Sequence, residues 1–164
     1  STNHRTDEYG GSIENRARLM HEVADGAISV WGAPRVGMPM APRGAAPDMG
    51  DSDPLATFSH TAREPGKRGL AFLCARESLG DRRIGPQLKK AFGGVFVANE
   101  KFTLETGNQV LAAGEADAVA FGVPFIANPD LPERFLQGAP LNTPDKNTFY
   151  SPGAEGYIDY PSLS

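Results

Sequence analysis

The run GLAFLCA (69–75) predicts a buried strand, IGPQLKKAF (84–92) predicts a helix, and GVFVAN (94–99) predicts a second strand. Both strand runs are almost continuously apolar and lack the alternation of a half-exposed strand. That pattern is typical of strands covered on both faces, as in parallel sheets. Two such strands joined by a helix form a βαβ unit, so the predicted fold class is α/β.

The same pattern continues toward the N-terminus. An apolar stripe at helical spacing begins after Ser12, a suitable N-cap, and ends at Trp31, where Gly32 would stop the helix. RVGMPMA (35–41) predicts a strand that is irregular or exposed at Pro39, because proline cannot donate a hydrogen bond to a neighbouring strand.

Further elements are predicted before and after the βαβ unit of residues 69–99. Asp53 and Pro54 suit an N-cap and the first residue of a helix, and we expect Pro65 to end that helix. Residues 103–113 predict a helix with a threonine cap, and ADAVAFG (116–122) predicts the fourth strand.

Four consecutive strand–helix units are half of a (β/α)8 barrel, a fold that typically needs about 250 residues. The 164-residue chain therefore cannot close such a barrel alone. Because four strands leave two unpaired edges, which promote association, we expect a missing N-terminal half or a second copy of the chain to complete the sheet. An open, doubly wound sheet with helices on both faces is the alternative.

Composition narrows the class of protein. Apolar residues make up 40% and charged residues 22%, as in folded globular domains. The net charge is −4 and no basic run is present, which argues against a nucleic-acid partner. Without a long apolar window or a signal peptide, no membrane is expected and the predicted location is cytoplasmic. The polar start at Ser1, without an initiator Met, suggests a piece of a longer protein.

Few side chains suggest chemistry by themselves. Cys74 is the single cysteine and lies in a predicted strand, so we expect a packed thiol rather than a nucleophile. The histidines, His4, His21 and His60, do not cluster with other ligands, and no metal site is predicted. No dinucleotide-binding, phosphate-loop or metalloprotease motif occurs.

The residues that follow the last two strands are the better candidates, because parallel α/β folds bind ligands at the carboxyl ends of their strands. Asn99, Glu100 and Lys101 follow one strand, and Gly122 and Val123 follow the next, where a short helix should begin. Loops in these positions often bind phosphate through backbone N–H groups. Gly122 either allows such an approach or only terminates the strand.

Three segments resemble a known family. RTDEYGGSIENRARLM (5–20), FGVPFIANPDLPERF (121–135) and TFYSPGAEGYIDYP (148–161) are similar to successive motifs of Old Yellow Enzyme-type flavoproteins, in the subgroup of N-ethylmaleimide, xenobiotic and glycerol trinitrate reductases. The resemblance implies an FMN-dependent (β/α)8 barrel. Such enzymes pass hydride from NAD(P)H through FMN to activated alkenes, and some reduce nitrate esters or nitroaromatic compounds.

The resemblance also implies how the chain is organised. Residues 1–164 would form the C-terminal half of the flavin-binding TIM barrel and supply strands five to eight. Within it, residues 1–11 would form a loop entering the first helix, residues 12–122 the β/α units, and residues 123–164 short helices and the C-terminal tail. The N-terminal half-barrel, or a second copy, would be the partner.

The family binds the FMN phosphate largely through backbone amides after strands seven and eight. By resemblance, the cofactor-binding residues are Asn99, Glu100 and Lys101, with Gly122 and Val123. Many relatives have glycines in place of Glu100 and Lys101, and a basic residue in place of Val123. We therefore expect the Glu100 carboxylate to point away from the phosphate, while Lys101 partly compensates its charge.

Two further positions bear on the flavin site by resemblance. Pro39 stands where many relatives have an arginine beside the flavin ring, so flavin affinity or reduction potential should be altered. Tyr150 matches a tyrosine at the mouth of the active site, or alternatively pins the C-terminal tail. The substrate-anchoring pair and the proton-donating tyrosine precede Ser1, so this chain contains no catalytic residue.

Polar residues near the N-terminus are expected to form a structural network; they are Arg5, Asp7, Tyr9, Glu14, Asn15 and Arg16. The predicted function is that of an FMN-dependent ene-reductase, with this chain inactive alone. One alternative is a non-catalytic half-barrel scaffold or weak phosphate-binding module that self-associates. A different phosphate-binding barrel enzyme is another alternative.

Overall fold

The computed structural model of the chain describes residues 2–43 and 49–163. The chain divides into two compact units, Ser1–Ala120 and Phe121–Ser164. The first unit contains the sheet and its helices, and the second contains two short helices and the C-terminal tail.

The first helix, α1, spans Ile13–Trp31 and has the ends that the sequence predicts. The Ser12 hydroxyl accepts a hydrogen bond from the backbone N–H of Asn15 at 3.2 Å. At the other end, Gly32 adopts a φ of 79° and donates its N–H to the Ile28 carbonyl at 2.8 Å. A short 3-10 turn, Ala33–Arg35, leads into the sheet.

The sheet has four parallel strands: β1 (Gly37–Met40), β2 (Phe72–Arg76), β3 (Val95–Asn99) and β4 (Ala118–Ala120). The spatial order is β1-β2-β3-β4, so each strand pairs with the next one in sequence. A doubly wound sheet instead reverses its order at a switch point. The sequential order agrees with a partial barrel and not with the doubly wound alternative.

Three helices connect these strands: α2 (Pro54–Lys67), α3 (Gly85–Phe92) and α4 (Leu104–Ala112). Asp53 caps α2 through a 3.0 Å hydrogen bond from the Ala56 N–H, as predicted. Thr103 caps α4 in a reciprocal pair with Thr106, in which each side chain accepts the backbone N–H of the other.

The prediction that Pro65 ends α2 is wrong, because the helix continues to Lys67. Pro65 lies in the last turn, where one missing N–H costs a single intrahelical bond. Its ring is fully buried, and the following Gly66 lies so close to the Phe92 carbonyl that a side chain would not fit there. Packing between α2 and α3 therefore stabilises the final turn.

Among the described residues, side chains on one face of the sheet are buried and those on the other are partly exposed, which corrects the expectation of strands buried on both faces. The covered side chains are Met38, Met40, Leu73, Ala75, Phe96 and Ala98. On the opposite face Phe72 is 41% exposed and Val95 is 50% exposed. Pro39 is also exposed there, as predicted. The strands have apolar residues on both faces, but the described helices of the first unit cover one of them.

The second unit contains α5 (Val123–Ala127), α6 (Leu131–Gln137) and a 3-10 turn at Lys146–Thr148. Arg134 organises this unit from a position that is only 5% exposed. Its guanidinium donates to the Asp130 carboxylate at 2.7 Å and to the carbonyls of Pro140 and Pro161 at 2.6 and 2.8 Å. These bonds tie the C-terminal tail to α6.

The contact of α2 with α3 gives a first prediction. Gly66→Ala should lower the free energy of unfolding by about 1–3 kcal/mol, because the added methyl group clashes with the backbone of Phe92. The control is Gly26→Ala, in α1, where a methyl group meets nothing within 4 Å. That change should raise stability by about 0.5–1 kcal/mol. Urea unfolding measures both, and equal effects of the two changes would contradict the prediction.

Candidate functional site

The carboxyl ends of β2 and β3 bring two polar side chains into one row of the sheet. Arg76 is directly opposite Asn99 in the parallel register. The Asn99 side-chain amide donates to the Ala120 carbonyl at 2.7 Å, which ties the end of β3 to the end of β4. Asn99 is thus fixed at the edge where parallel α/β folds bind their ligands.

The backbone after Asn99 has an unusual conformation. Glu100 has a φ of 98° and Lys101 a φ of 60°, in the left-handed region that favours glycine. Within residues 2–43 and 49–163, the N–H groups of Glu100 and Lys101 donate no hydrogen bond. Free N–H groups in a turn of this kind form concavities that bind anions. This segment therefore fits the phosphate group of the expected cofactor.

The side chains of this segment differ in their partners. The Glu100 carboxylate accepts a hydrogen bond from Arg76 Nε at 3.0 Å, so it faces the end of β2. The Arg76 side chain is 62% exposed and that of Glu100 is 25% exposed. Lys101 is exposed and forms no ion pair in the part of the chain that the structure describes.

Glu77 organises the loops around this edge, although the sequence did not predict it as a functional residue. Its buried carboxylate accepts the N–H groups of Ile84 and Gly85 at 2.8–2.9 Å, at the start of α3. Its own N–H donates to the Asn99 carbonyl at 3.0 Å. Arg43, from the loop after β1, is 3.8 Å from the same carboxylate. An acidic residue between a strand and an Ile-Gly-Pro helix start was the available signal.

Two of the predicted site residues open the second unit. Gly122 precedes α5 with a φ of −97°, so its conformation does not require glycine, and a β-carbon there would meet nothing within 4 Å. Val123 is 45% exposed. Both residues are accessible, and their assignment to cofactor binding stays a prediction.

Tyr150 also belongs to the second unit. It has a φ of 63°, and its N–H donates to the Tyr157 hydroxyl at 3.0 Å. The Tyr150 side chain is 97% exposed, so it does not pin the tail by packing in this chain. Its place at an active-site mouth stays a prediction.

Cys74, His21 and His60 lie within β2, α1 and α2 rather than in the loops that follow the strands. Cys74 is half-buried on β2, and burial raises the pKa of its thiol, which favours the unreactive protonated form. His21 on α1 and His60 on α2 have ring centroids 5.9 Å apart. His21 is 8% exposed, and its buried Nε2 has no hydrogen-bond partner. Among the described residues, no group of three or more potential ligands could hold a metal ion.

Much of the predicted N-terminal network is present. Arg5 Nε donates to Asp7 at 2.9 Å, and Asp7 accepts the Tyr9 N–H at 3.1 Å. The Arg5 guanidinium holds the pKa of Asp7 below its usual range through this hydrogen bond. Arg16 pairs with Asp51 at 3.2 Å. These contacts order the segment that enters α1.

Comparison with known proteins identifies relatives over almost the whole chain. The model of the NADH:flavin oxidoreductase / NADH oxidase family matches residues 1–142. A Leishmania infantum protein named "Probable flavin mononucleotide-dependent alkene reductase" is 42% identical over 99% of this chain and 46% of its own length. 12-Oxophytodienoate reductase 1 of Oryza sativa subsp. japonica is 44% identical over the same shares. The chain spans about half the length of these relatives.

Solved structures agree with these matches. Morphinone reductase in complex with tetrahydroNAD superposes with a TM-score of 0.93 at 44% identity, over 99% of this chain and 45% of that one. The Old Yellow Enzyme homologue of Zymomonas mobilis has a TM-score of 0.95 at 40% identity, over 99% and 48%. The chain has the α/β fold of these enzymes over the matched part. No described helix is long and apolar enough to cross a membrane.

The left-handed backbone at Lys101 gives a second prediction. Lys101→Gly should raise the free energy of unfolding by about 0.5–1 kcal/mol, because relief of the left-handed strain exceeds the entropy cost of glycine. Lys101→Ala is the control, since it removes the same charge but keeps the β-carbon, and it should give no such gain. Urea unfolding of the two variants separates the effects, and a gain in Lys101→Ala would contradict the prediction.

The buried His21 gives a third prediction. Burial lowers the pKa of His21, and the positive charges of Arg68 and His60 lower it further, against an opposing effect of Glu64. The folded chain therefore binds fewer protons than the unfolded chain below the ordinary histidine pKa of about 6.5. Stability should fall as the pH drops from that value toward the lowered folded pKa, by up to about 1.4 kcal/mol per pH unit, and should then level off.

His21→Leu should lack this contribution. The stability difference between the variant and the parent should be constant above about pH 7.5 and should grow in favour of the variant toward pH 5. Urea unfolding across this range measures the difference, and the carboxyl groups that titrate in both proteins cancel. A stability difference between variant and parent that is the same at pH 8 and pH 5 would contradict a lowered pKa for His21.

Proposed function

Because the chain belongs to the Old Yellow Enzyme family of NADH:flavin oxidoreductases, we propose that it is the C-terminal half of an FMN-dependent ene-reductase. In this proposal β1 to β4 are strands five to eight of a (β/α)8 barrel. The segment divisions 1–11, 12–122 and 123–164 are part of the same proposal. The sequential parallel order of the four strands supports the half-barrel, because neighbouring strands in such a barrel follow each other in the chain.

The observation that carries the proposal is the conformation of Glu100 and Lys101, which follow β3. Both have a left-handed backbone, and their N–H groups donate no hydrogen bond within the described residues. FMN is the cofactor of this family, and its phosphate needs several donors at once. We propose that the backbone N–H groups of Glu100 and Lys101 donate to that phosphate, with Asn99 positioning the segment through its bond to Ala120. Gly122 and Val123 are proposed as further cofactor contacts through their own backbone.

The role of each part of the chain follows from the half-barrel. FMN, when bound, passes hydride from a nicotinamide nucleotide, NADH or NADPH, to an activated alkene or to a nitrate ester. The residues of this chain bind and orient the cofactor, and the exposed Tyr150 contributes to the mouth of the site. The groups that anchor the substrate and donate the proton come from the other half, so this chain alone is inactive.

The partner in this proposal is the missing N-terminal half-barrel. It would cover the exposed face that contains Phe72 and Val95 and would pair with the free edges of β1 and β4. The proposed location is the cytoplasm.

A second candidate function is a non-catalytic half-barrel that self-associates. Two observations favour it: Pro39 offers neither charge nor donor on the face where the flavin ring would lie, and Val123 offers no charge to a phosphate. In that case a second copy of the chain would cover the exposed face of the sheet that contains Phe72 and Val95. Such a dimer would stay colourless with FMN.

Reassembly tests the proposal. The chain mixed with the N-terminal half of a full-length relative should take up FMN, give a flavin absorption spectrum and reduce 2-cyclohexenone with NADPH. Each half alone is the control and should show no turnover. Size-exclusion chromatography distinguishes a one-to-one complex from a dimer of this chain. No flavin uptake by the mixture, together with a colourless dimer, would favour the second candidate.

A further inference from the structure

We propose that Arg76, at the carboxyl end of β2, is a ligand of the FMN phosphate and that its pairing with Glu100 prepares it for that role. This inference rests on the proposed function and extends it to a residue on a different strand. Its support comes from the position, the free donors and the charges of the described residues.

The position of Arg76 places it beside the proposed phosphate segment. Phe72, Cys74 and Arg76 alternate along β2 with the buried Leu73 and Ala75, so Arg76 points to the face opposite the helices. Its partner in the register is Asn99, which begins the free left-handed segment. Arg76 is therefore one strand away from the backbone N–H groups that would hold the phosphate.

The hydrogen bonding of Arg76 leaves donors available. Its Nε donates to Glu100 Oε2 at 3.0 Å, while its two terminal amino groups donate no hydrogen bond within the described part of the chain. A guanidinium is planar and carries five N–H donors. It can bind a carboxylate along one side and present its terminal amino groups to a phosphate, a geometry for which arginine is well suited.

The charges make such a ligand necessary. A phosphate monoester carries about −1.5 to −2 charges near pH 7. Glu100 would place its carboxylate next to this phosphate, and two neighbouring negative charges repel each other. Arg43 lies 3.8 Å from the Glu77 carboxylate, and Lys101 has a flexible side chain without a partner among the described residues. Arg76 is the cation that the structure holds at Glu100.

An ordinary surface ion pair is the competing explanation. The Arg76 side chain is 62% exposed, and exposed pairs contribute only about 0–1 kcal/mol to stability. A pair of that kind would have no preference between flavins with and without a phosphate. Riboflavin, which lacks the phosphate of FMN, therefore separates the two explanations.

The experiment compares the two flavins in the complex of this chain with the complementary half. Arg76→Met should weaken FMN binding about tenfold or more, because it removes charged hydrogen bonds, and should change riboflavin binding by less than about twofold. Arg76→Lys should fall between Arg76→Met and the parent. Arg82→Met is the matched control, since it removes one positive charge from an exposed residue of the loop that follows Arg76. It should leave both affinities unchanged.

Glu100→Gln provides an independent check. It keeps an oxygen that can accept the hydrogen bond from Arg76 Nε, so Arg76 stays positioned, but it removes the negative charge beside the phosphate. FMN binding should therefore tighten while riboflavin binding stays unchanged, and weaker FMN binding would contradict the inference. The dissociation constants come from titrations that follow flavin fluorescence. Retained riboflavin binding in Arg76→Met also shows that this variant is folded.

The outcomes distinguish this inference from the proposed function. A parent complex that binds neither flavin overturns the proposed function and this inference together. A parent complex that binds FMN overturns the inference alone if Arg76→Met leaves FMN affinity unchanged, or weakens FMN and riboflavin equally. Loss of FMN affinity alone, with the Arg82→Met control unaffected, supports it.

Discussion

Each strand of the sheet pairs in parallel with the strand that follows it in sequence, so every connection must run back along the sheet before the next strand begins. This constraint aligns the carboxyl ends of all four strands at one edge, where loops from different strands can contact one ligand. It also leaves the opposite face, with Phe72 and Val95, exposed within the described part of the first unit. The bare face and the candidate site are thus two consequences of the same topology.

The loop after β3 shows how an unfavourable backbone conformation is maintained. At its start, the Asn99 side chain binds the Ala120 carbonyl and its own carbonyl accepts the Glu77 N–H. At its end, Thr103 forms the capping box of α4. Because both ends are fixed by hydrogen bonds, the residues between them remain in the left-handed region at a cost of about 1–2 kcal/mol each. The same anchoring leaves their N–H groups free for a ligand.

Local signals in the sequence predicted most of the fold. The ends of α1 were correct because the cap at Ser12 and the stop at Gly32 depend only on neighbouring residues. The end of α2 was wrong because the contact between Gly66 and Phe92 joins residues far apart in the chain. For the same reason the sequence did not reveal the pairing of Arg76 with Glu100, which depends on the register of β2 and β3.

Two carboxylates at the same edge of the sheet are accommodated in different ways. Glu77 is buried, and its carboxylate accepts backbone N–H groups at the start of α3, so it supports the loop that follows β2. Glu100 is partly exposed, and in the described part of the chain its carboxylate pairs with the Arg76 guanidinium. A backbone site tolerates many side chains because the donors are amides, yet it does not tolerate an uncompensated negative charge beside a phosphate. In the phosphate site that we propose, the glutamate at position 100 therefore requires a cation nearby, and Arg76 on the neighbouring strand provides it.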